Sequence, residues 1–175
     1  MGVNKRIAAT GVLVAHDGSE HADEALRVGV RHATALGLPV TIVRAWSITT
    51  APKPETWEFG YVPPLEDFET AVLAELERDA RRVVPDDLDV TFLAVHAKPA
   101  PAIIAASEGL ELIVVGSRGR GGFAGLVLGS VSEQIVRYAS CPVLVTHHRG
   151  DVSRDEPEED LTTIEQALLS ELKLD

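Results

Sequence analysis

The sequence predicts an α/β domain: a single doubly wound sheet of five parallel strands with helices on both faces. Three observations carry this. Apolar runs of strand length alternate with stretches of helical periodicity along the 175 residues. The connections are long enough to be crossovers, which parallel strands require. The fourth apolar run is followed by a glycine-rich loop and then a helical pattern, a strand–loop–helix order that aims backbone amides at an anion.

Gly11 to Ala15 is the first buried strand, turned by His16-Asp17-Gly18-Ser19. Ala22, Ala25, Leu26, Gly29, Val30, Ala33 and Leu36 then recur at helical spacing. Ser19 is the expected N-cap and Gly37 the stop. Val40 to Ala45 is rich in β-branched residues and forms the second strand. Residues 46–64 hold Pro52, Pro54, Pro63, Pro64, two tryptophans and a tyrosine without a period, which makes a long loop. A helix is expected from Leu65 to Val84, with Val72, Leu73, Leu76 and Ala80 inward. Asp89 to His96 is the third strand; Val90, Phe92 and Ala94 or the opposite set, Leu93 and Val95, face the core. Pro99 to Gly109 is a short helix, Leu112 to Val115 the fourth strand, Ser130 to Tyr138 the last helix and Pro142 to Thr146 the fifth strand.

Residues 1–148 form the domain and 149–175 an acidic tail. The chain's net charge is −11, and residues 151–175, with nine acidic and two basic side chains, carry −7 of it. An acidic chain without a basic stripe is a poor match for nucleic acid or for an anionic membrane. No apolar run reaches the length of a membrane span, and no secretory signal is read at the N-terminus. The lone cysteine, Cys141, fits a reducing cytoplasm. In the tail, Leu161, Ile164, Leu168 and Leu172 repeat at helical spacing behind a Thr162-Thr-Ile-Glu165 capping box, which suggests a short amphipathic helix.

Six of the 14 glycines fall within residues 116–129. Glycine lets a backbone approach a phosphate without a Cβ in the way. The first N–H groups of the following helix have no internal partner. Gly116-x-x-Gly119, nine residues, then Gly129-Ser130 resembles the nucleotide motif of the universal stress protein family. Leu112-Ile-Val-Val-Gly-Ser-Arg-Gly-Arg-Gly-Gly122, Gly129-Ser-Val-Ser132, Cys141-Pro-Val-Leu-Val145 and Val12-Leu-Val-Ala-His-Asp-Gly-Ser19 extend the resemblance over roughly residues 8–147.

The resemblance implies an adenine nucleotide alpha-hydrolase-like fold with strand order 3-2-1-4-5 and a ligand at the switch point between strands one and four. It implies ATP as ligand, with Mg²⁺ arriving on the phosphates. By position, Gly116, Gly119, Gly129, Ser130, Val131 and Ser132 would hold the phosphates, and Arg118 would add charge. Ala15, His16 and Asp17 would line the nucleoside side, Ala45 would contact adenine and Val115 would sit at the rim. It also implies a homodimer joined through strand Val143–Val145 and a nucleotide-dependent role in the stress response. The open alternatives are a nucleotide-independent interaction protein and a slow ATPase or autophosphorylating protein.

Several of these residues also have a purely structural reading. Ser130-x-x-Glu133 reads as a capping box, Asp17 as a turn former, and Arg118 and Arg120 as solvated charges. No Lys-Ser or Lys-Thr follows the glycines, so the loop is not a Walker A motif. His16 and Asp17 are adjacent at a strand end and point apart, which argues against a hydrolase triad. His147-His148 lacks further metal ligands nearby in sequence.

Overall fold

The chain's computed structural model describes residues 10–121 and 128–148. The elements follow in the order β1 (Val12–Ala15), α1 (Glu20–Leu36), β2 (Val40–Trp46), α2 (Leu65–Ala80), β3 (Val90–His96), α3 (Pro99–Ala106), β4 (Leu112–Gly116), α4 (Ser130–Tyr138) and β5 (Val143–Thr146). All pairings are parallel and the sheet runs β3-β2-β1-β4-β5, the expected order. The tail and its expected helix lie outside the described residues, as do Gly122 and Gly125.

Strand alternation sorts the core into two layers. Val12, Val14, Val40, Ile42 and Val114 pack on one face beneath Ala25, Leu26 and Val30 of α1 and Leu76 and Ala80 of α2. Leu13, Val43, Ile113 and Val115 pack on the other against Ile103 of α3 and Ile135 of α4. Phe92 packs against the first layer, and Leu93 and Val95 against the second. Both candidate sets of β3 are therefore inward, because both faces of the sheet are covered. Fully burying a side chain such as Leu26, Ile42 or Leu76 is worth about 2 kcal/mol.

The Ser19 hydroxyl caps α1 by accepting from the Ala22 amide at 3.3 Å, and Gly37 closes the helix at φ +65°. α2 stops at Ala80, short of the expected Val84. The amides of Val83 and Val84 both donate to Ala80 O, so the chain leaves in tight turns. Pro85 disfavours helical backbone at the residue before it.

Candidate nucleotide site at the sheet switch point

β1 and β4 are hydrogen-bonded neighbours whose chains leave the carboxyl edge toward opposite faces: β1 into α1, β4 through the glycine loop into α4. This is the topological switch point, where open α/β sheets bind ligands.

Asp17 joins the two departing chains. Its Oδ1 accepts from the Ser19 amide at 3.0 Å and from the Ser19 hydroxyl at 2.6 Å, and its Oδ2 accepts from the Arg120 amide at 3.0 Å. Burial pushes the Asp17 carboxyl up. The hydrogen bonds from Ser19 and Arg120, with the Arg120 charge, outweigh burial and hold it below its ordinary value. A Cβ on Gly119 would lie 2.5 Å from Asp17 Oδ2, so only glycine lets the loop come this close. Asp17 is a turn former, and it also tethers the loop.

The far end of the loop is stapled shut. The Gly129 amide donates to Ser117 O at 2.7 Å, and Ser132 Oγ lies 3.0 Å from Ser117 O and 2.9 Å from Gly129 O. Two groups expected to serve a phosphate, the Gly129 amide and the Ser132 hydroxyl proton, are thus spent on the loop itself. The Ser117 amide donates to Thr146 O at 2.7 Å, and Ser117 Oγ is buried without a hydrogen-bond partner among the described residues.

The helix start is different. Its N-cap is Gly129, which offers no capping side chain, so the expected capping box from Ser130 to Glu133 does not form. The first intrahelical bond runs from the Glu133 amide to Gly129 O at 2.9 Å. Helix geometry gives the amides of Ser130, Val131 and Ser132 no intrahelical acceptor, and none of them has a partner among the described residues. A Cβ on Gly129 would sit 3.4 Å from Ser117 O and 3.6 Å from Arg118 Cα. A side chain at 129 would therefore lie against the first limb of the loop, next to the helix start. Open amides at the positive end of a helix, with the Arg118 backbone 3.6 Å from where a Gly129 Cβ would sit, suit a phosphate.

The remaining candidates divide between faces. Ala15, Val115 and Val131 belong to the α3/α4 side, and Ala45, two residues beyond Val43 in β2, shares that face by alternation; Ala15 and Ala45 are partly exposed, while Val115 is core. Gly116 faces α1: a Cβ there would meet His21 Cβ at 2.8 Å and the His21 backbone at 2.9 Å. The first motif glycine thus admits a helix to the sheet. His16 also turns toward α1 and α2. Its amide donates to Val43 O at 2.9 Å, its Nε2 lies 3.0 Å from Asp23 Oδ1 and its Nδ1 lies 2.9 Å from Arg44 Nη2. Arg44 can only donate, so Nδ1 accepts and the proton sits on Nε2, shared with Asp23. Burial lowers the His16 pKa, as does the Arg44 charge, against the opposing pull of Asp23. His16 and Asp17 indeed engage different partners, as their alternation predicts.

Three residues that pattern reading passed over complete the edge. Arg44, buried in β2, donates to His16 O at 3.1 Å and to Asp79 Oδ2 at 3.0 Å, and its Nη1 lies 3.4 Å from Glu75 Oε2. Glu75 and Asp79 sit one helical turn apart on α2. The available signal was a lone arginine inside a β-branched strand, opposite an i, i+4 pair of carboxylates. At the other edge, His148 Nε2 lies 3.5 Å from Glu20 Oε2 and its ring 5.8 Å from that of His21. Among the described residues no three His, Cys, Asp or Glu side chains are grouped to hold a metal.

The universal stress protein family profile matches residues 10–147. A universal stress protein of Mycobacterium bovis is 36% identical over 152 residues, 83% of this chain and 50% of its own. One of Thermus aquaticus is 35% identical over 142 residues, 77% of this chain and 96% of its own. The chain thus spans about half the length of the mycobacterial relatives it matches. A solved universal stress protein in complex with cAMP superposes with a TM-score of 0.56 at 26% identity, covering 80% of this chain and 98% of that one. The Archaeoglobus fulgidus protein in complex with dAMP shares the fold, with a TM-score of 0.51 at 21% identity over 79% of this chain and 98% of its own. By its sequence, its strand order and the architecture of its carboxyl edge, the chain belongs to the universal stress protein family.

Proposed function

We propose that the domain binds an adenine nucleotide, ATP with Mg²⁺ on its phosphates, at the β1/β4 edge and answers stress through the conformation of the bound and free forms. The observation that carries this is the start of α4, whose N-cap, Gly129, puts no side chain over its first amides. The amides of Ser130, Val131 and Ser132 would take the phosphates, with charge from Arg118 and a cradle shaped by Gly119 and Gly129. Ala15 and Ala45, small and partly exposed on the same side, leave room for the nucleoside. The similar protein that was solved with cAMP supports an adenine ligand. His16 and Asp23, which could exchange a proton, lie on the opposite face of the sheet, which favours signalling over turnover. β5 is an edge strand, and Val143–Val145 would pair with a second copy to form the homodimer. No helix among the described residues is long and apolar enough to cross a membrane, and we place the protein in the cytoplasm.

The test is calorimetry with ATP and Mg²⁺ on the wild type and Gly129→Asp. Residue 129 has φ −75° and ψ 159°, which an aspartate adopts without strain. Its carboxylate would cap α4 from within and repel the phosphates. We expect affinity to fall about a hundredfold and stability to hold or rise by a few tenths of a kcal/mol. Equal affinity in both proteins overturns the site.

A second reading, a nucleotide-independent interaction protein, draws on the loop after β2. It leaves Trp57, Tyr61 and Val62 exposed and Phe59 fully so. Partner capture that survives Gly129→Asp would favour it.

A further inference from the structure

The charged groups under the edge form a closed circuit. Arg44 Nε donates to His16 O at 3.1 Å, the carbonyl of the peptide that leads into Asp17. Arg44 Nη1 faces Glu75 Oε2 at 3.4 Å, and Glu75 Oε1 faces Arg120 Nη2 at 3.8 Å. The Arg120 amide donates to Asp17 Oδ2 at 3.0 Å, which returns the circuit to the residue after His16. Asp79 and the His16 imidazole occupy the remaining faces of the guanidinium, and Asp23 holds the far side of that imidazole. Gly18, at φ +85°, keeps the centre open: a Cβ there would run into the Arg120 guanidinium.

We infer that Arg44 is a positioning residue for the nucleotide site, fixing the His16–Asp17 peptide directly and the first half of the glycine loop through Glu75 and Arg120. This rests on the nucleotide-binding reading above. Arg44 touches no ligand itself; its side chain is buried on the α1/α2 side. Its effect is to hold Asp17 where one carboxylate oxygen serves Ser19 and the other serves the loop. Loss of that anchor lets the first half of the loop move relative to the start of α4. The guanidinium fork suits the task because it reaches a backbone carbonyl, an imidazole and two carboxylates at once, which an ammonium cannot.

Arg44→Lys separates positioning from charge balance. Lysine keeps a cation between Glu75 and Asp79 but has no Nε–H for His16 O. Amide exchange of the ligand-free protein and ATP–Mg²⁺ calorimetry are read on wild type, Arg44→Lys and Glu75→Gln. We expect Arg44→Lys to unfold near the wild-type temperature, to exchange the Arg120 and Ser19 amides faster while core amides keep their protection, and to bind ATP about tenfold more weakly. Glu75→Gln should speed exchange at Arg120 alone. Full rescue of both exchange and affinity by lysine overturns the inference and leaves Arg44 a charge-balancing residue. A wild type that binds no nucleotide overturns the proposed function instead; unchanged exchange at Arg120 and Ser19 in Arg44→Lys still overturns the positioning role in that case.

Discussion

The two faces of the sheet's carboxyl edge are built on opposite chemistry. Beneath α1 and α2, Asp23, His16, Arg44, Glu75 and Asp79 are linked by hydrogen bonds and ion pairs through His16 and Arg44. On the α3/α4 side, Ala15 and Ala45 offer little beyond a methyl group, and α4 begins on a glycine that caps nothing. Neighbouring residues supply both, because successive strand side chains point to opposite faces. The side richest in titratable groups pairs them with one another. On the side with the poorest side chains, the donors without a partner among the described residues are backbone amides at the start of α4.

Arg44→Met is the hardest blow to that contrast. It leaves Glu75 and Asp79, side chains 23% and 13% exposed, facing an apolar group where a cation stood. Removing one partner of a largely buried ion pair costs about 3 kcal/mol, and urea unfolding measures it. Gly129→Asp, on the other face, should cost no stability while lowering nucleotide affinity about a hundredfold. If Arg44→Met costs less than about 1 kcal/mol, a value ordinary for surface pairs, the network is decoration and the contrast fails.

Much of this was legible in sequence, and the reasons are local. Ser19 is a short polar residue ahead of a helical stripe and caps α1, as its type predicts. Short apolar, β-branched or alternating runs marked the strands, and the crossover lengths forced parallel pairing. The glycine spacing located the loop but suggested one shared purpose for its members. In three dimensions they differ: Gly116 admits His21 of α1, Gly119 admits the Asp17 carboxylate, and Gly129 leaves a helix uncapped. A one-dimensional spacing cannot say which neighbour occupies the place of a missing Cβ. Arg44 stayed hidden because its partners lie 28 and 35 residues away, and helical and strand periods score a charge in an apolar run only as an interruption.

Gly116→Ala sharpens the contrast within the motif. The added methyl would meet backbone atoms of His21 at 2.9 Å, which cannot swing aside as a flexible side chain could. Overpacking of this kind costs about 2 kcal/mol. Affinity for ATP, measured well below the melting temperature, should stay within a few-fold of wild type if Gly116 acts on the α1 side. A large loss of affinity with little loss of stability would return Gly116 to the phosphate cradle.

The smallest expected effect is on acid stability, and it isolates His16. Burial lowers its pKa below the ordinary 6.5, helped by Arg44 and opposed by Asp23, so the folded protein holds the imidazole neutral more firmly than the unfolded chain does. Between the folded and unfolded values the unfolded chain binds more protons. His16 therefore contributes stability that is complete above about pH 6.5 and is lost as pH falls through the folded pKa. Burial is the larger cause, and protonation would also turn an Nδ1 donor toward the donors of Arg44. Asp17, whose pKa is also depressed, acts in a lower window, losing its contribution below the ordinary 3.8. Urea midpoints followed from pH 7.5 to 5 should fall for the wild type and fall less for His16→Gln, which cannot titrate but can still accept from Arg44. Parallel slopes in the two proteins would mean that the imidazole does not gain its proton in this range, and that another histidine sets the acid response.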